Sequence, residues 1–300
     1  MEENRPISGL ALVNKEAGMT SQTVVTRLRH MLGVAKAGHT GTLDPMAQGV
    51  LPVLLGRAVK ASEFLLTGDK HYSAVLLLGT ETDTEDVTGR VLATNTQIPG
   101  ADAVRAVAAT FVGERLQVPP MYSAIRVGGR RLMELAREGK TVEREARPIT
   151  VFSLDVTPLS EKTYRLDVVC SKGTYIRTLC ADIGRALGCG GCMQALTRTE
   201  AAGYPLARAL TLGEWESMGE EARRAAIIPT EELFSGCEAV RLSPFFARLA
   251  HNGLPIYLKK IGRAYPLGTR LRLLDEDGFF ALGEVREEEE GAAVRPIRQF

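Results

Sequence analysis

From Ala239 onwards, Gly253, Gly262, Gly268, Gly278 and Gly291 cut the chain into stretches of a few residues, and this punctuation sharply limits what the C-terminal part can fold into. A helix needs a long run of 3.6-residue periodicity, whereas about 4–8 residues suffice for a strand. Ile256-Tyr-Leu-Lys259, Arg270-Leu-Arg-Leu-Leu274, Phe279-Phe-Ala-Leu282 and Ala292 to Ile297 therefore predict short strands of a small β-barrel or pseudobarrel. Before Pro229 the pattern differs. Apolar residues at helical spacing predict helices over about Thr20–Leu32, Ala101–Phe111 and Tyr175–Leu187. Thr20 or Ser21 can cap the first of these, and Gly33 ends it. Tyr72–Leu78 alternates as a strand does, and Thr150–Thr157 with Thr163–Cys170 reads as a strand pair. A Gly- and Thr-rich loop fills Gly38 to Gly49. The change of pattern puts a domain boundary near 236–240, and 300 residues is about two domains' worth at roughly 150 residues a domain.

Composition excludes several classes. Apolar residues are 45% and charged ones 24%, ordinary for a globular chain and unlike coiled coil or disorder. The longest apolar runs, such as Gly49–Gly56 and Ala74–Gly79, fall far short of the roughly 20 residues that span a bilayer. The start, Met1-Glu-Glu-Asn-Arg-Pro6, is acidic and leads into no apolar signal core, so the expectation is a cytoplasmic protein without a membrane segment. The net charge of +1 points to no partner, but charge is uneven. Val118 to Pro148 holds seven Arg or Lys against four Glu, a local basic surplus of the kind nucleic acids meet. Val118-Pro-Pro-Met-Tyr-Ser123 opens it as a loop, because two prolines remove donors and fix φ. A loop or hairpin and a helix with Leu132, Leu135 and Ala136 follow.

Five cysteines include Cys189-Gly-Gly-Cys192 near Cys180, but no histidine or second CxxC stands by to complete a zinc set. They read as reduced structural thiols, and no metal is expected.

The most unusual segment is Gly38-His-Thr-Gly-Thr-Leu-Asp-Pro45, continuing Met46-Ala-Gln-Gly-Val-Leu-Pro52. Two glycines let this loop approach a ligand closely. Asp44 precedes Pro45, which biases it towards extended backbone. A carboxylate held between Leu43 and Met46 on such a loop can serve as nucleophile or base. On spacing alone, a turn whose Asp caps the next segment fits as well.

This string, with Gly56-Arg-Ala-Val-Lys60, closely resembles the active-site region of the TruB-type tRNA pseudouridine synthase family. Val13-Asn-Lys-Glu-Ala-Gly-Met-Thr-Ser21 is similar to the family's N-terminal segment, with Glu16 where proline is usual. Lys70-His-Tyr72 with Gly79 and Asp83, Val118-Pro-Pro-Met-Tyr-Ser-Ala124 and Gly173-Thr-Tyr-Ile-Arg177 resemble its tyrosine strand, insertion and arginine motif. Order and spacing agree from about residue 10 to residue 200. The resemblance implies an α+β fold: a central, mostly antiparallel sheet flanked by helices in residues 1–237, with an RNA-gripping insertion at about 118–148. More weakly, residues 238–300 resemble the family's small β-rich PUA-like RNA-binding domain.

The resemblance also implies the chemistry: uridine becomes pseudouridine at position 55 of the tRNA T loop. No atoms or electrons are gained or lost, so no cofactor is expected. Asp44 is implied as the nucleophile, and Arg177 as its cationic partner, since Arg stays charged when buried and grips a carboxylate with two donors. Tyr72 is implied to stack on an extruded uracil, Leu196 to wall the pocket and Lys15 to support the surroundings. His39 is implied to fill the gap left by the flipped base. Lys60, Tyr122, Arg126, Arg130 and Arg131 are implied to meet the T arm, with basic groups on phosphates. Taken without the family, Tyr72 and Leu196 are ordinary core residues, His39 a satisfied loop histidine and the basic excursion a solvated hairpin.

Two readings compete: a stand-alone isomerase acting on the tRNA T stem-loop with no obligatory protein partner, and a tRNA-binding or folding protein that clamps the elbow. A guide-dependent synthase of the archaeal or eukaryotic kind is a third, and the long insertion from Val118 to Lys140 favours the stand-alone type.

Overall fold

The computed structural model describes residues 6–65 and 68–300. The acidic opening Met1–Arg5, read above as leading into no signal core, lies outside the described residues.

Ten strands of the described residues form one sheet. Its main path runs Ile228–Pro229, Gly9–Lys15, Gln48–Leu55, Gly191–Ala201, Lys70–Leu78, Thr163–Cys170, Arg147–Pro158 and Gly113–Gln117, with two short strands attached at the side. All its pairings are antiparallel except that of Gly191–Ala201 with Gln48–Leu55. The expected mostly antiparallel sheet is therefore present.

Lys70–Leu78 shows why the alternating pattern was legible. Tyr72, Ala74, Leu76 and Leu78 turn to a buried face, while His71, Ser73, Val75 and Leu77 are half-exposed. On that buried face lie the helices Ser21–Met31, Ala101–Ala109 and Ile176–Ala186, whose Val24, Leu28, Val104, Leu179 and Ile183 share one apolar core with the sheet. The first helix starts as expected, with Thr20 Oγ1 accepting from the Thr23 amide.

Two inner strands, Gly9–Lys15 and Gln48–Leu55, show no strand alternation in the sequence. They are covered on both faces: Ala11, Val13, Leu51 and Val53 join the main core, while Leu10, Leu12, Val50 and Leu54 join a second cluster. A strand buried on both sides has no alternation to display. The loop expected over Gly38–Gly49 is shorter than that. Ala37–His39 pairs with Val53–Leu55, and strand structure resumes at Gln48.

The basic excursion forms a two-residue hairpin, Arg126–Val127 with Arg130–Arg131, then the short helix Leu132–Arg137. Its turn residues Gly128 and Gly129 both have positive φ, 57° and 84°, the combination a type I′ turn requires.

A second sheet of five strands begins at Glu238 and holds its own core of Val240, Leu271, Leu273, Val285 and Val294. Its strands Arg270–Asp275, Gly278–Glu288 and Gly291–Gln299 sit where the glycine punctuation put them. The expected strand Ile256–Lys259 stops at Tyr257. Leu258 turns inward to be buried and opens a short 3₁₀ segment, which Gly262 ends in left-handed backbone with φ 65°. No helix among the described residues is long and apolar enough to cross a membrane.

Candidate active site

Asp44 stands on a loop that the fold fastens from three sides. The buried Ser21 hydroxyl, on the first residue of its helix, accepts from the Leu43 amide at 2.8 Å and donates to the Leu43 carbonyl at 3.0 Å. Beyond Asp44, the Lys15 ammonium donates to the carbonyls of Pro45 at 3.2 Å and Ala47 at 2.6 Å, and also to that of Glu16. Lys15 is wholly buried, and burial brings its pKa down to about 8 although the Asp44 charge opposes the shift. The third fastening is Arg198, on the strand Gly191–Ala201. Its Nε donates to the Val50 carbonyl at 2.8 Å and its Nη2 to the Gly41 carbonyl at 3.1 Å.

The Asp44 carboxylate is 34% exposed and meets a guanidinium that is only 5% exposed. Arg177 Nε donates to Oδ2 at 2.9 Å and Nη2 to Oδ1 at 3.3 Å, the two-pronged geometry Arg permits and Lys does not. The remaining donors are spent on backbone: Nη1 on the Thr84 carbonyl at 2.9 Å and Nη2 on that of Tyr122 at 2.8 Å. A second carboxylate, Asp86, lies 3.8 Å from Nε. Arg177 belongs to the first turn of its helix, so its position is set by packing of Ile176 and Leu179 in the core.

Cross-strand register adds the apolar side. Tyr72 lies opposite Arg198, and Leu196 opposite Ala74 on the same pair of strands. Tyr72 is almost completely buried, its phenol held above the ordinary range by desolvation, with the neighbouring Arg198 charge pulling the other way. His39 Nδ1 accepts from the Gly41 amide at 3.4 Å. Burial first, and then the Arg198 charge, keep its imidazole below the usual pKa, so the ring is neutral at pH 7.

Asp44, Arg177, Tyr72, Leu196, Lys15 and His39, picked out in the sequence, thus share one neighbourhood. Tyr122 reaches it too, through its carbonyl on Arg177 rather than its ring. Lys60, Arg126, Arg130 and Arg131 do not. Lys60 donates to the Gln299 carbonyl at 2.9 Å, which ties it to the C-terminal sheet. Arg126 and Arg130 are engaged within the hairpin region, with Gly129 and Glu138 respectively, and Arg131 is exposed.

Three contributors escaped the sequence reading. Arg198, two residues beyond Leu196, carries no mark of this role in the sequence. Asp86 and the Thr84 carbonyl belong to a tight turn in which Glu85 adopts positive φ of 63° and accepts from Thr178 Oγ1 at 2.5 Å. The TDxED spacing of Thr82–Asp86 carries no signal for such a turn without the Arg177 it holds. Among the described residues no cluster of His, Cys, Asp and Glu could hold a metal. The thiols of Cys180 and Cys192 are pushed up by burial, as suits structural cysteines.

Comparison with known proteins gives three kinds of match. The TruB family pseudouridylate synthase N-terminal domain matches residues 29–176, and the tRNA pseudouridylate synthase B C-terminal domain matches residues 177–235. Among curated relatives, a tRNA pseudouridine synthase B from Alkaliphilus oremlandii is 39% identical over 94% of this chain and 95% of its own length. One from Aromatoleum aromaticum is 41% identical over 94% and 90%. Among solved structures, a Cbf5-Nop10-Gar1 complex contains a chain similar with TM-score 0.70 and 26% identity, covering 97% of this chain and 84% of that one. An H/ACA RNP bound to a substrate RNA containing 2'-deoxyuridine matches equally well.

Proposed function

The chain belongs to the TruB family of pseudouridylate synthases and isomerises uridine to pseudouridine in tRNA, and from that premise we propose that Asp44 is the nucleophile, acting on uridine 55 of the T loop. The observation that carries this is the partly exposed Asp44 carboxylate gripped on both oxygens by the buried Arg177 guanidinium. Isomerisation breaks the N1–C1′ bond, turns the uracil and joins C5 to C1′; the C5 proton leaves and N1 gains one. The reaction needs an anionic oxygen that can reach C1′ without moving the loop that carries it. Arg177 supplies the counter-charge, and Ser21, Lys15 and Arg198 hold the loop.

The target base must leave its stack at a cost of a few kcal/mol. The Tyr72 ring and Leu196 offer it a slot between aromatic and apolar walls, and the neutral His39 suits the gap that the base leaves. The exposed hairpin Arg126–Arg131 is the gripping surface for T-arm phosphates. Lys60, turned to the C-terminal sheet, supports the seam between the two sheets rather than the site. In this reading residues 1–237 carry the chemistry and 238–300 form a PUA-like RNA-binding domain. The enzyme works alone and in the cytoplasm, where its substrate is.

The test is incubation with an unmodified tRNA transcript, with pseudouridine mapped by chemical labelling and primer extension. Wild type forms it at position 55. Asp44→Asn keeps the hydrogen-bonding shape, binds tRNA within about threefold of wild type and loses at least about 10³-fold in rate, as removal of a nucleophile does. An Asp44→Asn protein that still isomerises overturns the assignment. A wild type that binds tRNA without isomerising it favours the elbow clamp instead.

A further inference from the structure

We infer that Arg198 is a positioning residue of this reaction, fixing the Asp44 loop at both ends to a single guanidinium; the inference rests on the pseudouridine synthase reading above. Its two backbone acceptors, Gly41 and Val50, bracket the segment that carries Asp44. One planar group therefore closes the loop at both ends. The backbone does the same: Arg198 pairs with Gly49, and a Cβ on Gly49, whose φ is 107°, would stand 2.2 Å from the Arg198 carbonyl oxygen. No residue but glycine fits there, so loop and strand meet at contact distance.

Tyr72 lies directly across the strand pair from Arg198, so the same guanidinium stands beside the aromatic wall of the site. Its charge favours the phenolate, against the larger effect of desolvation, which raises Tyr72.

Cost supports a functional reason for this arrangement. Arg198 is 1% exposed, and among the described residues no carboxylate forms an ion pair with it. A buried charge held only by two carbonyls is expensive, and an apolar side chain of similar volume would fill the space at less expense. Its field also reaches Lys15, Lys70 and His39, lowering the pKa of each.

Arg198→Lys keeps the charge and loses the fork; Arg198→Met loses both. In single-turnover assays with saturating tRNA, each folded variant should lose about 10²-fold in rate, the scale of a loop misplaced by about 1 Å, with tRNA affinity within about threefold. In addition, the ¹³Cζ titration of Tyr72 should move up in Arg198→Met, because the opposing guanidinium charge is gone, a readout that simple core filling would leave unchanged. Wild-type rate in either folded variant, or an unmoved Tyr72 titration, overturns the inference. If neither variant folds, side-chain ¹⁵N spectra of wild type decide it: the Arg198 Nε proton, bonded to the Val50 carbonyl, must be protected from solvent exchange, and a freely exchanging proton refutes the clamp. Wild type and Asp44→Asn run alongside. An inactive wild type defeats the pseudouridine reading itself, whereas an active wild type with fully active Arg198 variants defeats only this inference.

Discussion

Lys15 behaves least like a surface lysine. Its ammonium is wholly buried, donates to three carbonyls and has a pKa near 8 because desolvation outweighs the attraction of Asp44. The unfolded chain keeps Lys15 near its ordinary 10.5. Below about pH 8 both states hold the proton and the burial cost is constant. From there up to about 10.5 the unfolded state binds more protons, so stability contributed by this residue rises with pH. Thermal melts of wild type and Lys15→Met should therefore diverge in favour of wild type between pH 8 and pH 10, and convergence would contradict the buried-ammonium picture. At pH 7 the Met variant leaves carbonyls of the Asp44 loop short of a donor, at about 1–3 kcal/mol. The motif around Asp44 was readable because its residue order is unusual. Arg198 was not, because an arginine in a strand carries no mark of what its guanidinium will reach.

Among elements, the helix Ser21–Met31 does more than fill the core. Its first residue holds both polar backbone groups of Leu43. Ser21→Ala should cost about 1–3 kcal/mol by leaving that amide and carbonyl unpaired in a buried place. It should also lower the rate at saturating tRNA while leaving tRNA affinity unchanged, as denaturation curves and single-turnover assays would report. The hairpin behaves oppositely: it is exposed, and its Arg126 and Arg131 make no ion pair among the described residues. Replacing both by alanine should leave the melting temperature within about a degree, as exposed substitutions usually do. The same double change should make the slope of log affinity against log salt shallower by about one or two. An unchanged slope would mean that the tRNA is gripped elsewhere.

At the scale of the molecule, the two sheets meet across an aromatic seam. Phe234 packs on Phe64, Phe279 and Phe300 with ring centroids 5.4–5.9 Å apart. Around this cluster, Lys60 and Arg57 donate to the Gln299 and Phe300 carbonyls, and Arg298 pairs with Glu63. Phe234→Ala should destabilise by about 3–5 kcal/mol, and in denaturant it should split a single unfolding transition into two. A single transition at the original midpoint would show that the seam couples nothing. The seam itself had no signature, since its four rings are scattered from residue 64 to residue 300.

The amino-acid order alone marked the helices and the short strands of the second sheet, because helical periodicity and glycine spacing are local properties of the chain. It also singled out the Asp44 loop as the candidate site, through a resemblance carried by residue identity. Tertiary structure decided what those residues touch. Arg177 lies 133 positions from Asp44, and Arg198 is 148 from Val50 and 157 from Gly41. Contacts at such separations are set by strand order and register, and register is a collective outcome of which faces the whole sheet buries. For the same reason the inner strands Gly9–Lys15 and Gln48–Leu55 escaped notice: with neighbours covering both faces, neither has a polar side to betray its period.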